Sequence, residues 1–237
     1  MSEKHVIYDD MSHKSTIRLE NVSVTFEKYT VLHKLNLLLD ERLIAVIGAN
    51  GSGKSTFVRL LNGLVLPTEG NVTINGFDTR REGKAVRRIV GFVFQNPDNQ
   101  IIMPTVEEDI TFGIKKLKKE EIERRIEETL QRYGLLSLRK KRVHLLSGGQ
   151  KQLLAICGVL VMEPHTIILD EPTTQLDLYN RKRIAEIIDN LEQRIIMTSH
   201  DLLLLKKFER ILVLHEGHLI YDASPSDAIP FYERLMA

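Results

Sequence analysis

The octapeptide Gly48-Ala49-Asn50-Gly51-Ser52-Gly53-Lys54-Ser55 constrains this chain more than any other segment. It follows Leu43 to Ile47, a short continuous apolar run of the kind buried on both faces of a parallel sheet. It opens a stretch from Lys54 to Asn62 with helical character. The glycines let the backbone curl until successive N–H groups point at one anion, and the helix N-terminus adds its positive dipole end. Strand, glycine-rich turn and helix in that order make a cradle for phosphate. Gly48, Asn50, Gly51, Ser52 and Gly53 form its wall, and Thr56 follows. Lys54 is placed to reach the β- and γ-phosphates of a nucleotide, and the Ser55 hydroxyl to ligate Mg²⁺.

Such a cradle needs a carboxylate for the metal at the end of another buried strand. The run Thr166-Ile167-Ile168-Leu169-Asp170-Glu171 supplies it. Asp170 ends the apolar run, placed to hold Mg²⁺ through a water. Glu171 follows, where a carboxylate can polarise an attacking water.

The rest of the chain fits around these two strands. Ile17, Leu19, Val22, Val24 and Phe26 alternate, with a slip at Glu20-Asn21 that predicts a bulge or a turn. Residues 71–75 and 89–94 read as strands. From Thr105 to Glu163 the pattern is mostly helical: Ile122, Ile126 and Leu130 repeat every four residues, with Glu120–Arg124 and Glu121–Arg125 pairs on the solvent side. A second alternation follows: strand 166–170, helix near 178–190, strand 194–198, helix near 201–207, strand 210–214. Gly217 turns a hairpin and Pro225 opens a last short helix. This order predicts an α/β sheet with a helical insertion.

Composition removes several classes. Thirty-three basic residues stand against 32 acidic, a net charge of +1, which disfavours a strongly basic nucleic-acid binder. The single cysteine, Cys157, excludes a disulfide scaffold and fits a reducing compartment; it reads as a small hydrophobe in a helix. No apolar run approaches the roughly 18–20 residues of a membrane span, and residues 1–14 lack the apolar stretch of a signal peptide. The expectation is a soluble intracellular chain, with Met11 an alternative start and any link to a membrane made through a partner.

Leu146-Ser147-Gly148-Gly149-Gln150 narrows the choice among nucleotide hydrolases. A serine and two glycines at a helix N-terminus form a second anion site. Two such sites in one chain grip one nucleotide only if the chain folds back or if two chains face each other.

With this pentapeptide the sequence resembles the ATP-binding cassette (ABC) family, over nearly all of residues 16–228. LSGGQ is that family's signature. The resemblance implies that Phe26 stacks on adenine, with Tyr29 the nearby alternative. It implies that Gln95, in Gly91-Phe92-Val93-Phe94-Gln95, touches Mg²⁺ and the attacking water. It makes Asp177 the D-loop aspartate and His200 the switch histidine that contacts the γ-phosphate. Ser147, Gly148, Gly149 and Gln150 then face the nucleotide of a second cassette. The implied fold is α/β, a P-loop NTPase cassette with a mixed central sheet, an N-terminal antiparallel β-subdomain and a helical subdomain at about 97–163 inserted in a RecA-like core. Residues 1–15 form a loose tail and 16–237 the domain. Two positions depart from the family pattern: Gln175 where a small residue is usual, and Leu153 where arginine is frequent.

One cassette, without a fused membrane domain or a long heptad arm, is similar to the stand-alone ATPases of importers. Asn96-Pro97-Asp98-Asn99-Gln100 and Pro104-Thr105-Val106-Glu107-Glu108-Asp109 resemble the ATPases of energy-coupling factor (ECF) importers of vitamins and metals. Gln152-Leu153-Leu154 and Pro172 to Asp177 look most like the biotin-type branch. The resemblance implies ATP hydrolysis with ATP and Mg²⁺ as cofactors, Glu171, His200 and Gln95 in catalysis, and Ser55, Gln95 and Asp170 at the metal. It implies a second ABC ATPase subunit, identical or related, integral membrane subunits, no nucleic acid, and a peripheral place on the cytoplasmic face of the membrane. The alternative is a soluble ABC ATPase acting as a nucleotide-switched clamp on nucleic acid or protein. The acids Asp98, Glu107, Glu108 and Asp109 either receive arginines from a membrane subunit or favour a helix start. Arg139-Lys140-Lys141-Arg142 reads as a solvated loop or as a lipid-facing patch.

Overall fold

The computed structural model describes residues 16–237; the expected tail 1–15, with Met11, lies outside the described residues. In chain order the strands are β1 (Ile17–Phe26), β2 (Tyr29–Leu39), β3 (Leu43–Ile47), β4 (Glu69–Ile74), β5 (Phe77–Asp78), β6 (Val90–Val93), β7 (Thr166–Asp170), β8 (Arg194–Thr198), β9 (Arg210–His215) and β10 (His218–Ala223). The helices are α1 (Lys54–Leu60), α2 (Gly83–Ile89), α3 (Val106–Ile114), α4 (Lys119–Arg132), α5 (Gly148–Leu160), α6 (Leu178–Asp189), α7 (Leu202–Leu205) and α8 (Pro225–Met236).

Two sheets form. The first is antiparallel, in the order β2-β1-β4-β5. The second has the order β10-β9-β3-β8-β7-β6, parallel except for the β9–β10 hairpin at its edge. Its central strands bury both faces by simple alternation. Ile44, Val46, Ile168 and Ile196 point to a core shared with α1 and the antiparallel sheet. Ala45, Ile47, Ile167, Leu169, Ile195 and Met197 point to the other core, against α5, α6 and α3. Phe57 of α1 is fully buried in the first core; burying a side chain of that size stabilises the fold by about 1.5–3 kcal/mol.

Local chemistry sets the element ends. Ser147 and Gln150 form a reciprocal capping box at the start of α5. Asp177 caps α6 through Asn180 N, and Thr105 caps α3 through Glu108 N. The slip at Glu20-Asn21 is a bulge within one strand: the pairing with β2 shifts between Leu19 and Val22, and Asn21 has φ +50°. On α4, Arg124 pairs with Glu121 and Glu128 rather than with the expected Glu120, because the i,i+3 and forward i,i+4 carboxylates hold both arms of its guanidinium. α8 extends over 12 residues and is not the short helix that Pro225 alone suggests.

Candidate functional site

Four parallel strands bring their C-terminal ends to one edge of the second sheet, the edge where ligands of such sheets bind. β3 runs into Gly48, β6 towards Gln95, β7 into Asp170-Glu171 and β8 into Ser199-His200. The register fixes their relative depth: Asp170 lies opposite Thr198, and Val46 opposite the same threonine on the other side.

The loop from Gly48 to Gly53 closes against the edge hairpin. Ser52 N donates to Ala49 O (3.2 Å), and Gly217 N donates to Ser52 O (3.2 Å). Gly53 caps α1 with φ +97°, and a Cβ there would sit 2.8 Å from Leu32 Cδ2 and 2.9 Å from Val31 O, so only glycine fits. Lys54 folds over the loop: Nζ donates to Gly48 O (2.9 Å) and Ala49 O (3.1 Å). Burial pushes its pKa below the ordinary lysine value, with the nearby Glu171 and Asp170 carboxylates opposing the shift. Ser52 Oγ is buried without a partner inside this cradle. Asn50 and Gly51 form the exposed lip of the loop, and Thr56 lies within α1.

Glu171 is the centre of the site. Its Oε1 lies 3.1 Å from His200 Nε2 and 4.0 Å from Lys54 Nζ. Its Oε2 accepts from Gln95 Nε2 (3.2 Å) and from Thr174 Oγ1 (2.9 Å). The backbone at Glu171 is left-handed, φ +48°, a conformation a non-glycine residue holds only when its surroundings impose it. Here Thr198 does so: Glu171 N donates to Thr198 Oγ1 (2.9 Å) and Thr198 O (3.2 Å). The residue is nonetheless buried, 8% exposed.

Asp170 sits beside it, 1% exposed. Oδ1 accepts from Ser55 Oγ (3.0 Å) and Thr198 Oγ1 (2.9 Å). Oδ2 is buried and has no hydrogen-bond donor; Arg59 Nη2 approaches it to 3.7 Å, an ion-pair distance only. A hydroxyl and an orphaned carboxylate oxygen side by side suit Mg²⁺, which takes few protein oxygens and keeps several waters. Among the described residues no group of three or more His, Cys, Asp or Glu could cage a metal, so the donor set is of the sparse kind.

Phe26 and Tyr29 are paired across the β1–β2 turn and are 48% and 79% exposed, so both offer a free ring. Ser147 and Gly148 are exposed at the start of α5 and Gly149 is buried. Gln150 spends its side-chain oxygen on Ser147 N (3.1 Å), which makes it the cap of the signature turn. Asp177 spends its carboxylate on Asn180. Neither is brought to Glu171 within this chain by any hydrogen bond.

The sequence does not point to Thr198, Thr174 or Gln100. Thr198 bridges the two carboxylate residues, and strand register alone could have found it, opposite Asp170. Gln100 ties the backbone beside Gln95 to the signature helix: Phe94 N donates to its Oε1 (3.1 Å), and its Nε2 donates to Ala155 O (2.7 Å). The acids near α3 are all engaged within the chain. Glu107 accepts from Arg139 and Lys140, Asp98 from Lys151 (2.7 Å), Glu108 from Thr105 (2.6 Å), and Asp109 from Ile102 N (2.9 Å) and Met103 N (3.1 Å). Arg139 and Lys140 thus pair with Glu107 inside the chain, Arg139 largely covered and the Lys140 side chain exposed. Cys157 is fully buried, and burial pushes its thiol pKa up. A groove of about 880 Å³ lies elsewhere, between α4 and α6. Its lining mixes Arg125, Arg132 and Arg183 with Glu128 and Glu186, and includes none of the residues that meet at Glu171.

Comparison with known proteins agrees with this fold. Residues 32–174 match the family described as ABC transporter. The chain is 48% identical over 223 residues to the biotin transport ATP-binding protein BioM of Rhizobium etli, covering 93% of this chain and 99% of that protein. It is 40% identical over 226 residues to the energy-coupling factor transporter ATP-binding protein EcfA1 of Clostridioides difficile, covering 89% and 81%. Among solved structures, CbiO1 of Clostridium perfringens, part of the ABC transporter complex CbiONQ, superposes with a TM-score of 0.82 at 32% identity, covering 94% of each chain.

Proposed function

The chain belongs to the ABC transporter family, and from that premise we propose that it powers import of a small solute, a vitamin or a metal ion, through the membrane subunits of an ECF-type transporter. It is an ATPase. The observation that carries the mechanism is the meeting of Lys54, Gln95, Thr174 and His200 on the single Glu171 carboxylate.

In this reading the Gly48–Ser55 backbone and Lys54 hold the phosphates of ATP, and an aromatic ring at Phe26 or Tyr29 stacks on adenine. Ser55 Oγ and Asp170, with Gln95, would hold Mg²⁺, which neutralises charge on the phosphate oxygens as the terminal group leaves. Glu171 orients the attacking water and accepts its proton. His200 and Gln95 fix the Glu171 carboxylate and, in turn, the γ-phosphate. The signature turn Ser147-Gly148-Gly149, with Asp177, belongs to the nucleotide site of a second cassette, identical or related. Two anion sites in one chain, with no hydrogen bond joining the signature turn to Glu171, support that sharing. Closure over ATP and reopening after hydrolysis are two states with different nucleotide affinity, and that difference limits the work delivered to the membrane subunits. The biotin transport and energy-coupling factor relatives support a peripheral place on the cytoplasmic face of the membrane; no helix among the described residues is long and apolar enough to cross it.

The biotin transport relative and the energy-coupling factor relative support import of this class. The test is affinity capture of the tagged chain from membranes. Co-purifying polytopic subunits that stimulate ATP hydrolysis support import. ATPase activity stimulated instead by nucleic acid, without such subunits, would overturn it in favour of a soluble clamp.

A further inference from the structure

Gly148 and Gly149 are adjacent in the signature turn, yet only one of them is forced to be glycine. A Cβ on Gly148 would meet nothing within 4 Å. A Cβ on Gly149 would lie 2.3 Å from Asn180 Cγ, 2.3 Å from its Oδ1 and 2.6 Å from its Nδ2. Gly149 is not among the positive-φ residues, so close approach and not backbone conformation requires a glycine there. The neighbour cannot simply swing away. Asn180 Nδ2 donates to both Asp177 oxygens, Oδ1 (3.0 Å) and Oδ2 (3.0 Å), while Asn180 N donates to Oδ1 (2.8 Å). One carboxamide is thus fastened to the cap of α6 and laid flat against the first turn of α5.

We propose that Asn180 is a positioning residue that locks Asp177 to the Gly149 backbone, so that the D-loop and the signature turn meet a second cassette as one rigid piece. The inference rests on the reading that two cassettes close over ATP. Both turns then have to arrive together. A slack joint between them would let one dock while the other lags, and misplacement of that order is costly when the reacting groups must be aligned. Asn180 suits the task because it donates to a carboxylate, which an aspartate there cannot do, and because its side chain is too short to lift the helix away.

Two measurements on the purified full chain test this. The first is a melting cycle without nucleotide. Gly149→Ala in the parent overpacks the contact and is expected to lower the melting midpoint by roughly 3–6 °C. The same change in an Asn180→Ala background is expected to cost under about 1 °C, because the obstacle is gone. The second is kinetic. Asn180→Asp and Asn180→Ala are expected to leave ATP affinity, measured by calorimetry, within about twofold, while kcat falls by about tenfold or more. Asn180→Asp matters because it keeps the shape and loses the donor. Additive melting shifts would overturn the contact. Wild-type kcat in both Asn180 variants would overturn the positioning role even with the contact present. A parent chain that bound no ATP would instead sink the two-cassette reading and the role with it, while the melting cycle would still report the contact by itself.

Discussion

His200 Nε2 lies 3.1 Å from Glu171 Oε1, joining the ends of two adjacent parallel strands across the site. The imidazole edge stands directly against that carboxylate oxygen, within ion-pair distance. With Gln95 and Thr174 on the second oxygen, Glu171 is aimed by three side chains from three segments of the chain. A residue so held, in a left-handed backbone conformation, is positioned for a task that fold stability does not require.

Glu171→Gln tests that task. The amide keeps the shape and can still accept from Thr174, but it cannot take a proton. ATP binding should persist while turnover falls by about 10²–10⁴-fold, the usual span for loss of a general base. Steady-state ATPase assays alongside calorimetry check this, and near-normal turnover would remove Glu171 from the mechanism.

Lys54→Ala tests the cradle. Nζ is held by the Gly48 and Ala49 carbonyls and is 5% exposed with its residue, so its removal opens the loop without touching the sheet. Charge-assisted contacts of this kind contribute about 1.5–3 kcal/mol, so ATP affinity should weaken by roughly 10–100-fold. Unchanged affinity by calorimetry, with an unchanged melting midpoint, would count against the phosphate cradle.

The strand ends were legible in the sequence because each is a short apolar run stopped by a chemically distinctive residue: Ile47 by Gly48, Leu169 by Asp170, Met197 and Thr198 by His200. A run buried on both faces needs no alternation to be read. β2 and α2 fail for the opposite reason. In β2 the buried positions Leu32, Leu35, Leu37 and Leu39 are not evenly spaced, because Lys34 takes φ +37° and breaks the period. α2 buries only Val86 and Ile89 and opens on Gly83. Within the site, residues with a motif of their own were readable, and those that serve another residue were not. Thr198, Thr174 and Asn180 act through Asp170, Glu171 and Asp177, and such second roles follow from register and helix phase rather than from spacing in the chain. The acids near α3 show the same limit: Glu107 finds its partners at Arg139 and Lys140, far along the sequence.

Asp170→Asn tests the metal. An asparagine oxygen can still accept from Ser55 and Thr198, so the local fold should survive, but the buried Oδ2 that lacks a donor is replaced by an amide. ATP affinity in the parent should drop when Mg²⁺ is chelated. In the variant the gain from Mg²⁺ should shrink by about 10–100-fold, the range for losing an outer-shell metal partner. Calorimetric titration of ATP with and without Mg²⁺ reads this directly, and an undiminished Mg²⁺ effect would take Asp170 off the metal.

Glu107 and Glu121 make the helical region acid-sensitive. Hydrogen bonds from Arg139 and then Lys140 lower the Glu107 pKa from 4.5, and those from Arg124 and Arg125 lower that of Glu121 from 4.5 to about 2. A carboxylate with a depressed folded-state pKa contributes stability that is present above its unfolded value and lost as pH falls through the folded one. The melting midpoint should therefore hold above about pH 4.5 and fall progressively towards pH 2, the window set by Glu121. Glu107→Gln should melt a few degrees lower at neutral pH and show a shallower acid slope, since one of the titrating groups is gone. Because Glu107 is already committed to Arg139 and Lys140, the same variant should still co-purify with its membrane subunits. Lost assembly with an unchanged melting midpoint would instead mean that Glu107 serves the partner rather than α3.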